Sequence, residues 1–332
     1  MINEKFDNIK VPENLDVFID EAVDKAYAKR GKNILKKVSG IAAASIALVM
    51  VVGITKPAIA SKIPPLQSVF ETIQDNINAT GKYSKYATSV NKSIINSGVE
   101  VTLSEVICDG ESLYISYIVE SEKPFKNLGY DILERQILYE GKGRVNFTNE
   151  TLDDGGIAGI EGKFIDDNTF VGVEKYNLGF LGRDSGEIVE IPDNFEFEIL
   201  MKNIRAIPVI GDDKEELIRE GKWGFKVDVN VDKSISKNID VKIESEDEIG
   251  INEVVITPFE IKVKTQHSNS KKNNYHIRLT DENGGEFDRV YQSWEESTST
   301  SNFNRNEFNG DKLIIDIYES DTLILKKEIN IN

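Results

Sequence analysis

Hydrophobic and polar positions change their period twice along this chain. In the first stretch Leu15, Phe18, Ile19, Ala22, Val23 and Ala26 recur at offsets of three and four, while Asp16, Asp20, Glu21, Asp24 and Lys25 fall between them. That spacing predicts an amphipathic helix over residues 11–30, with Pro12 near its first turn, Glu13 and Asp16 at the positive end of its dipole, and Gly31 as a break. From Val38 to Ile54 the period vanishes, and 17 residues pass without a charge. As a helix this run is about 26 Å long, against a hydrocarbon core of about 30 Å. Ile34, Leu35 and Thr55 lengthen it, and Lys36 and Lys37 can snorkel to the headgroups. A single transmembrane helix is expected over 38–55.

Beyond it, Ile63-Pro64-Pro65-Leu66 breaks any helix, and Val69, Phe70 and Ile73 suggest a short amphipathic turn in a membrane-proximal collar, 56–81. From Val99 the period becomes two. Val99, Val101 and Leu103, the turn pair Asp109-Gly110, then Leu113, Ile115, Tyr117 and Val119 read as a β-hairpin. Further strands are expected at 195–200, 225–231, 254–256, 259–263, 275–279, 313–318 and 323–329. Short strands with polar turns imply a mainly β fold of sandwiches. Pro208, Gly211 and the run Asp212-Asp213-Lys214-Glu215-Glu216 suggest a linker over 206–221, separating a first β domain (82–205) from a second (222–332).

Charge orients this arrangement. The net charge is −17, but residues 1–37 carry eight Lys/Arg and seven Asp/Glu, so the deficit lies almost wholly beyond the apolar run. Six basic residues stand between Lys25 and Lys37, whereas only Lys56 and Lys62 follow the span closely. The positive-inside rule then places the N-terminus in the cytoplasm and the β domains outside the cell. An acidic exterior opposes binding to nucleic acid and to anionic lipid. The 37-residue leader is too short for its own core, so its stripe must dock on another protein, on a second copy or on the bilayer. Ala58-Ile59-Ala60 has the small-x-small form of a processing site, although a 37-residue leader is too long for an ordinary signal peptide.

Chemistry is sparse. The chain has one cysteine, Cys108, and two histidines, His267 and His276, too few for a disulfide or a structural zinc site. No nucleotide-binding, zincin or nucleophile-elbow motif stands in a supporting context. Asp153-Asp154 and Asp166-Asp167 read as solvated loops rather than calcium sites. No cofactor, metal ligand or catalytic residue is expected, and the chain is read as a non-enzyme.

Several segments carry a family resemblance. Ile9-Lys10-Val11-Pro12-Glu13-Asn14-Leu15, followed by the amphipathic helix, the basic patch and one span, resembles the N-terminus of membrane anti-sigma factors of low-GC Gram-positive bacteria. Residues 56–64, Tyr83-Ser84-Lys85-Tyr86-Ala87 and 99–119 resemble the family called domain of unknown function 4179. Gly221-Lys222-Trp223-Gly224-Phe225 and Val255-Ile256-Thr257-Pro258-Phe259 are similar to the immunoglobulin-like domain often attached to it.

The resemblance implies two immunoglobulin-like domains outside the cell and an anti-sigma role. The stripe Leu15, Phe18, Ile19, Ala22, Val23 and Ala26 would hold an extracytoplasmic-function sigma factor by helix-in-groove packing, with release by cleavage near Ala58 and Ala60. The competing reading is a membrane-anchored extracellular binding or adhesion module whose leader only sets topology.

Overall fold

The computed structural model describes residues 68–73, 83–125, 132–152, 159–182, 189–208, 217–244, 248–305, 308 and 310–331. All lie in one compact unit, Pro57–Asn332. The expected leader helix, the span 38–55 and the pair Ala58 and Ala60 lie outside the described residues. Among the described residues no helix is long and apolar enough to cross a membrane.

The protein is mainly β. A short helix, α1 (Val69–Ile73), and a 3-10 turn (Tyr83–Tyr86) precede β1 (Thr88–Asn96), β2 (Val99–Cys108), β3 (Ser112–Ser121), β4 (Ile132–Glu140), β5 (Arg144–Val145), β6 (Gly159–Phe164), β7 (Thr169–Asn177), β8 (Asn194–Pro208) and β9 (Leu217–Asn230). These nine strands form one sheet in the order β1-β2-β3-β7-β6-β4-β8. One edge of β8 takes β4 and then β5, and the other takes β9. Val99, Val101, Leu103, Leu113, Ile115, Tyr117 and Val119 face its core, as their alternation predicts. The sheet curls until β9 lies against its far end. There the Trp223 indole N–H donates to the Val99 carbonyl at 3.1 Å and Lys92 Nζ to the Lys226 carbonyl at 2.7 Å.

The second region holds β10 (Lys237–Glu244), β11 (Ile249–Ile256), β12 (Glu260–His267), β13 (Tyr275–Asp281), β14 (Arg289–Trp294), β15 (Thr298–Asn304), β16 (Lys312–Glu319) and β17 (Thr322–Asn330). A five-stranded sheet, β10-β11-β12-β15-β14, and a three-stranded sheet, β13-β16-β17, share one apolar core that includes Ile251, Ile261, Val263, Leu279, Ile315 and Ile317.

Two expectations are corrected. The segment 206–221 is no linker between domains, because β8 and β9 are arms of one hairpin with register from Asn194↔Asn230 to Ala206↔Leu217. Pro208 is the last residue of β8 and Leu217 the first of β9, so both ends of the expected linker are strand, and the acidic run between them lies outside the described residues. Trp223, Phe225, Val227 and Val229 accordingly pack into the first core, and the crossing falls at Val231–Ser236 instead. The first region is also one curled sheet rather than two facing sheets, because strand periodicity specifies which face is buried and not which sheet a strand joins. Only the second region has two sheets over a shared core.

Candidate functional site

The hairpin β2–β3 is where the two regions meet. Its turn is held by Asp109, whose Oδ1 accepts the backbone N–H groups of Glu111 (2.9 Å) and Ser112 (2.7 Å), while Gly110 takes the left-handed φ of 88° that the turn needs. The register of β2 slips between Leu103 and Glu105. This bulge inverts the alternation. Val99, Val101 and Leu103 face the first core, then Val106 and Cys108 do, and Glu105 and Ile107 turn to the opposite face.

On that opposite face sits the collar. Glu105 Oε2 accepts from the Ser68 hydroxyl (3.0 Å) and from the backbone N–H groups of Val69 (2.9 Å) and Phe70 (3.4 Å), so a carboxylate from β2 caps the positive end of α1. Val69, Phe70, Ile73 and Tyr83 pack with Ile107, Tyr114, Val171 and Val173 in a cluster separate from both main cores.

The last member of this cluster comes from the second region. Phe259, only 2% exposed, leaves the sandwich core and lodges among the collar aromatics. Its ring stacks on Tyr83 (centroids 4.2 Å, 10°), which stacks in turn on Phe70 (5.5 Å, 7°), and meets Tyr114 and Tyr86 edge-on. The turn before β12 aims it, because Thr257 Oγ1 accepts the N–H groups of Phe259 and Glu260, both at 3.1 Å.

β12 then alternates. Ile261 and Val263 point into the sandwich, whereas Glu260 and Lys262 point into the joint and are buried there. Glu260 Oε1 accepts from the Ser112 hydroxyl (3.0 Å) and lies 3.3 Å from Lys262 Nζ. Its Oε2 is paired with Lys175 from β7 and accepts from Asn302 Nδ2 at 3.3 Å. Lys262 Nζ also reaches the carbonyl and carboxylate of Glu111 at 3.4 and 3.3 Å.

Burial pushes the Glu260 carboxyl up, but the ammonium groups of Lys175 and Lys262 outweigh it and hold the group at about 2. Burial likewise pushes Lys262 down, and Glu260, Glu111 and Asp109 together hold it above the usual lysine value. Asp109 is the odd member. Burial pushes it up to about 6, with Lys262 opposing and Glu260 reinforcing, and its Oδ2 has no hydrogen-bond partner. The connection between the regions is tied down alongside. Asp232 N–H donates to the Cys108 carbonyl and the Ser236 hydroxyl to the Asp109 carbonyl, both at 2.9 Å.

Cys108 is buried, and its thiol is pushed up to about 12 by that burial, so it is a poor nucleophile. A second buried polar group, Tyr139 donating to Glu174 with Tyr176 at 3.3 Å from Tyr139, lies inside the first core. His267 packs against Tyr275 and Trp294, and His276 stacks on Tyr318. What the geometry can do is couple three parts of the chain mechanically.

The sequence-predicted residues Leu15, Phe18, Ile19, Ala22, Val23, Ala26, Ala58 and Ala60 all lie outside the described residues. Conversely, reading the sequence missed Phe259, Glu260 and Lys262 as a joint. Glu260, Lys262 and Lys264 alternate with Ile261 and Val263, which is the signature of a solvent-facing strand surface.

These features define a β-rich protein in which a collar, a curled sheet and a sandwich meet at one buried joint. Residues 30–121 match the family described as a domain of unknown function, DUF4179. The matched segment starts before the apolar run and ends at the last residue of β3. No curated protein matches the chain. Among solved structures it is similar to a conserved domain protein from Bacillus anthracis, at 18% identity and a TM-score of 0.47, covering 76% of this chain and 95% of that one. Weaker likenesses are to a marsupial T cell receptor (8% identity, TM-score 0.21, 74% and 98% covered) and to domains 5-6 of the S-layer protein SbsC (12%, 0.18, 73% and 98%).

Proposed function

We propose that the chain is a single-pass membrane anti-sigma factor that is not an enzyme. Its N-terminus is cytoplasmic, its β-rich body lies outside the cell, and the leader stripe Leu15, Phe18, Ile19, Ala22, Val23 and Ala26 sequesters an extracytoplasmic-function sigma factor. An external signal acting on the β-rich body ends that sequestration by cleavage near Ala58 and Ala60. The second region, five strands facing three, is read as the immunoglobulin-like module.

One observation carries this reading. An uncharged run of 17 residues, 38–54, divides an amphipathic leader from a folded body in which Ser68 docks on Glu105. The family match supports it, because residues 30–121 take in the basic patch, the run, the collar and the first hairpin together.

The test uses the full chain. Solubilised in detergent, it should co-purify a sigma factor, and Phe18→Asp should abolish that association and raise transcription of the sigma-dependent genes. An intact chain recovered from the aqueous fraction without detergent would overturn the membrane reading. Recovery of no sigma factor, or transcription left unchanged by Phe18→Asp, would favour the adhesion module.

A further inference from the structure

We propose that the second region is a latch on the collar. Phe259 and Glu260 clamp α1 and Tyr83 against the curled sheet, and displacing the sandwich frees the collar while the sheet stays folded.

The collar has little hold of its own. A helix of five residues is far below the length that is stable alone, so α1 depends on its cap on Glu105, on the Ser84 hydroxyl that donates to Glu71 and on its apolar contacts. Those contacts end in a stack of three nearly parallel rings, Phe70, Tyr83 and Phe259, of which the outermost belongs to the other region. Withdrawing Phe259 bares one face of Tyr83 and, behind it, the ring of Phe70.

The joint also holds groups that gain from opening. Tyr83 Oη is buried without a hydrogen-bond partner, and so is Asp109 Oδ2. Both recover hydration when water enters. Opposing them are the Phe259 stack, the pairing of Glu260 with Ser112 and Lys175, and that of Lys262 with Glu111, all of which cross the seam. The two regions have separate apolar cores, so the seam can part without unpacking either of them. If the anti-sigma reading holds, unlatching the collar is the external event that leads to cleavage near Ala58 and Ala60. That consequence rests on the reading above, whereas the latch itself does not.

Native-state hydrogen exchange on the full-length protein in detergent micelles tests the latch directly. In the unmodified protein, amides of 68–73 and 83–87 and those of Thr257, Phe259 and Glu260 should share one opening event, with the same dependence on denaturant and at lower denaturant than Phe197 and Val227 in the first core. Phe259→Leu and Glu260→Gln should each speed collar exchange, on the order of tenfold or more, and leave unchanged the difference in free energy between collar opening and the unfolding that exposes Phe197 and Val227. Distinct denaturant dependences for collar and joint in the unmodified chain would overturn the latch. So would a collar that stays protected in both variants while the joint exchanges faster. Because exchange is read in the purified protein, a missing sigma factor leaves this result untouched, and a failed latch leaves sigma-factor binding to be judged separately.

Discussion

Glu260 is the residue on which the electrostatics of the joint turn. It satisfies two buried or half-buried lysines at once, so its removal leaves charge without compensation. Glu260→Gln should therefore destabilise the protein by about 3–5 kcal/mol, the usual cost of breaking a buried pair. Adding Lys262→Met should recover part of that loss, because an apolar side chain of similar length needs no counter-charge. Chemical denaturation of the single and double variants checks both statements. Asp109 makes the joint pH-dependent in the opposite sense. Its folded value, about 6, lies above the ordinary carboxylate value of about 4, so the ionised form destabilises the fold and protonation relieves the cost. The groups facing it are Lys262 and Glu260 from β12, the backbone N–H groups of Glu111 and Ser112, and Tyr83 and Tyr114 from the collar cluster. Stability should rise by on the order of 2–3 kcal/mol as the pH falls from above 6 towards 4. The depressed value of Glu260 adds stability that is fully present above the ordinary carboxylate range and is lost as the pH falls towards about 2. Thermal unfolding across pH 4 to 8 should show this rise, and Asp109→Asn should flatten it.

At the scale of elements, two devices shape the curled sheet. The bulge in β2 turns Glu105 to the collar face, so that strand irregularity and helix capping are one event. Glu105→Ala should cost about 0.5–2 kcal/mol, as loss of a helix cap does, and the faster amide exchange should be confined to α1 and its neighbours. Between β6 and β7, Gly162 is paired directly with Gly172. A methyl group on Gly162 would overlap the Val171 carbonyl and the Cα of Gly172. Gly162→Ala should thus destabilise by about 1–3 kcal/mol, the usual cost of overpacking, read as a lowered melting temperature.

For the whole molecule, the joint decides whether two cores behave as one. With the seam closed, calorimetry of the intact protein should show the curled sheet and the sandwich unfolding together. Phe259→Ala removes a buried ring, a change that costs about 3–5 kcal/mol where the site cannot collapse, and removes it from the seam rather than from either main core. Its calorimetric trace should therefore split into two transitions. A single transition shifted to lower temperature would mean that the regions are coupled elsewhere, for example where Phe180 approaches Tyr291 at 6.2 Å.

Much of this architecture was legible in the chain because it depends on local periodicity. Alternation marked the β2–β3 hairpin and seven further strands, each within one residue of lying inside an observed strand, and Asp109-Gly110 marked a turn. Strands β1, β4, β5, β6, β7, β10, β14 and β15 were missed; β1 is a largely exposed edge strand, and β14 has Val290 and Tyr291 in the open, so neither carries a clear alternation. The chain alone also determined its division into an amphipathic leader, an uncharged run and a β-rich remainder, since charge and period are properties of neighbouring residues. Where β9 belongs, how far the sheet curls and what covers the second face of β3 and β7 were decided only in three dimensions. Phe259, Glu260 and Lys262 have the pattern of an ordinary half-exposed strand start, and their burial comes from residues more than a hundred positions away in sequence, such as Tyr83 and Ser112. A contact of that kind leaves no periodic trace, because it depends on which surfaces meet after each has folded.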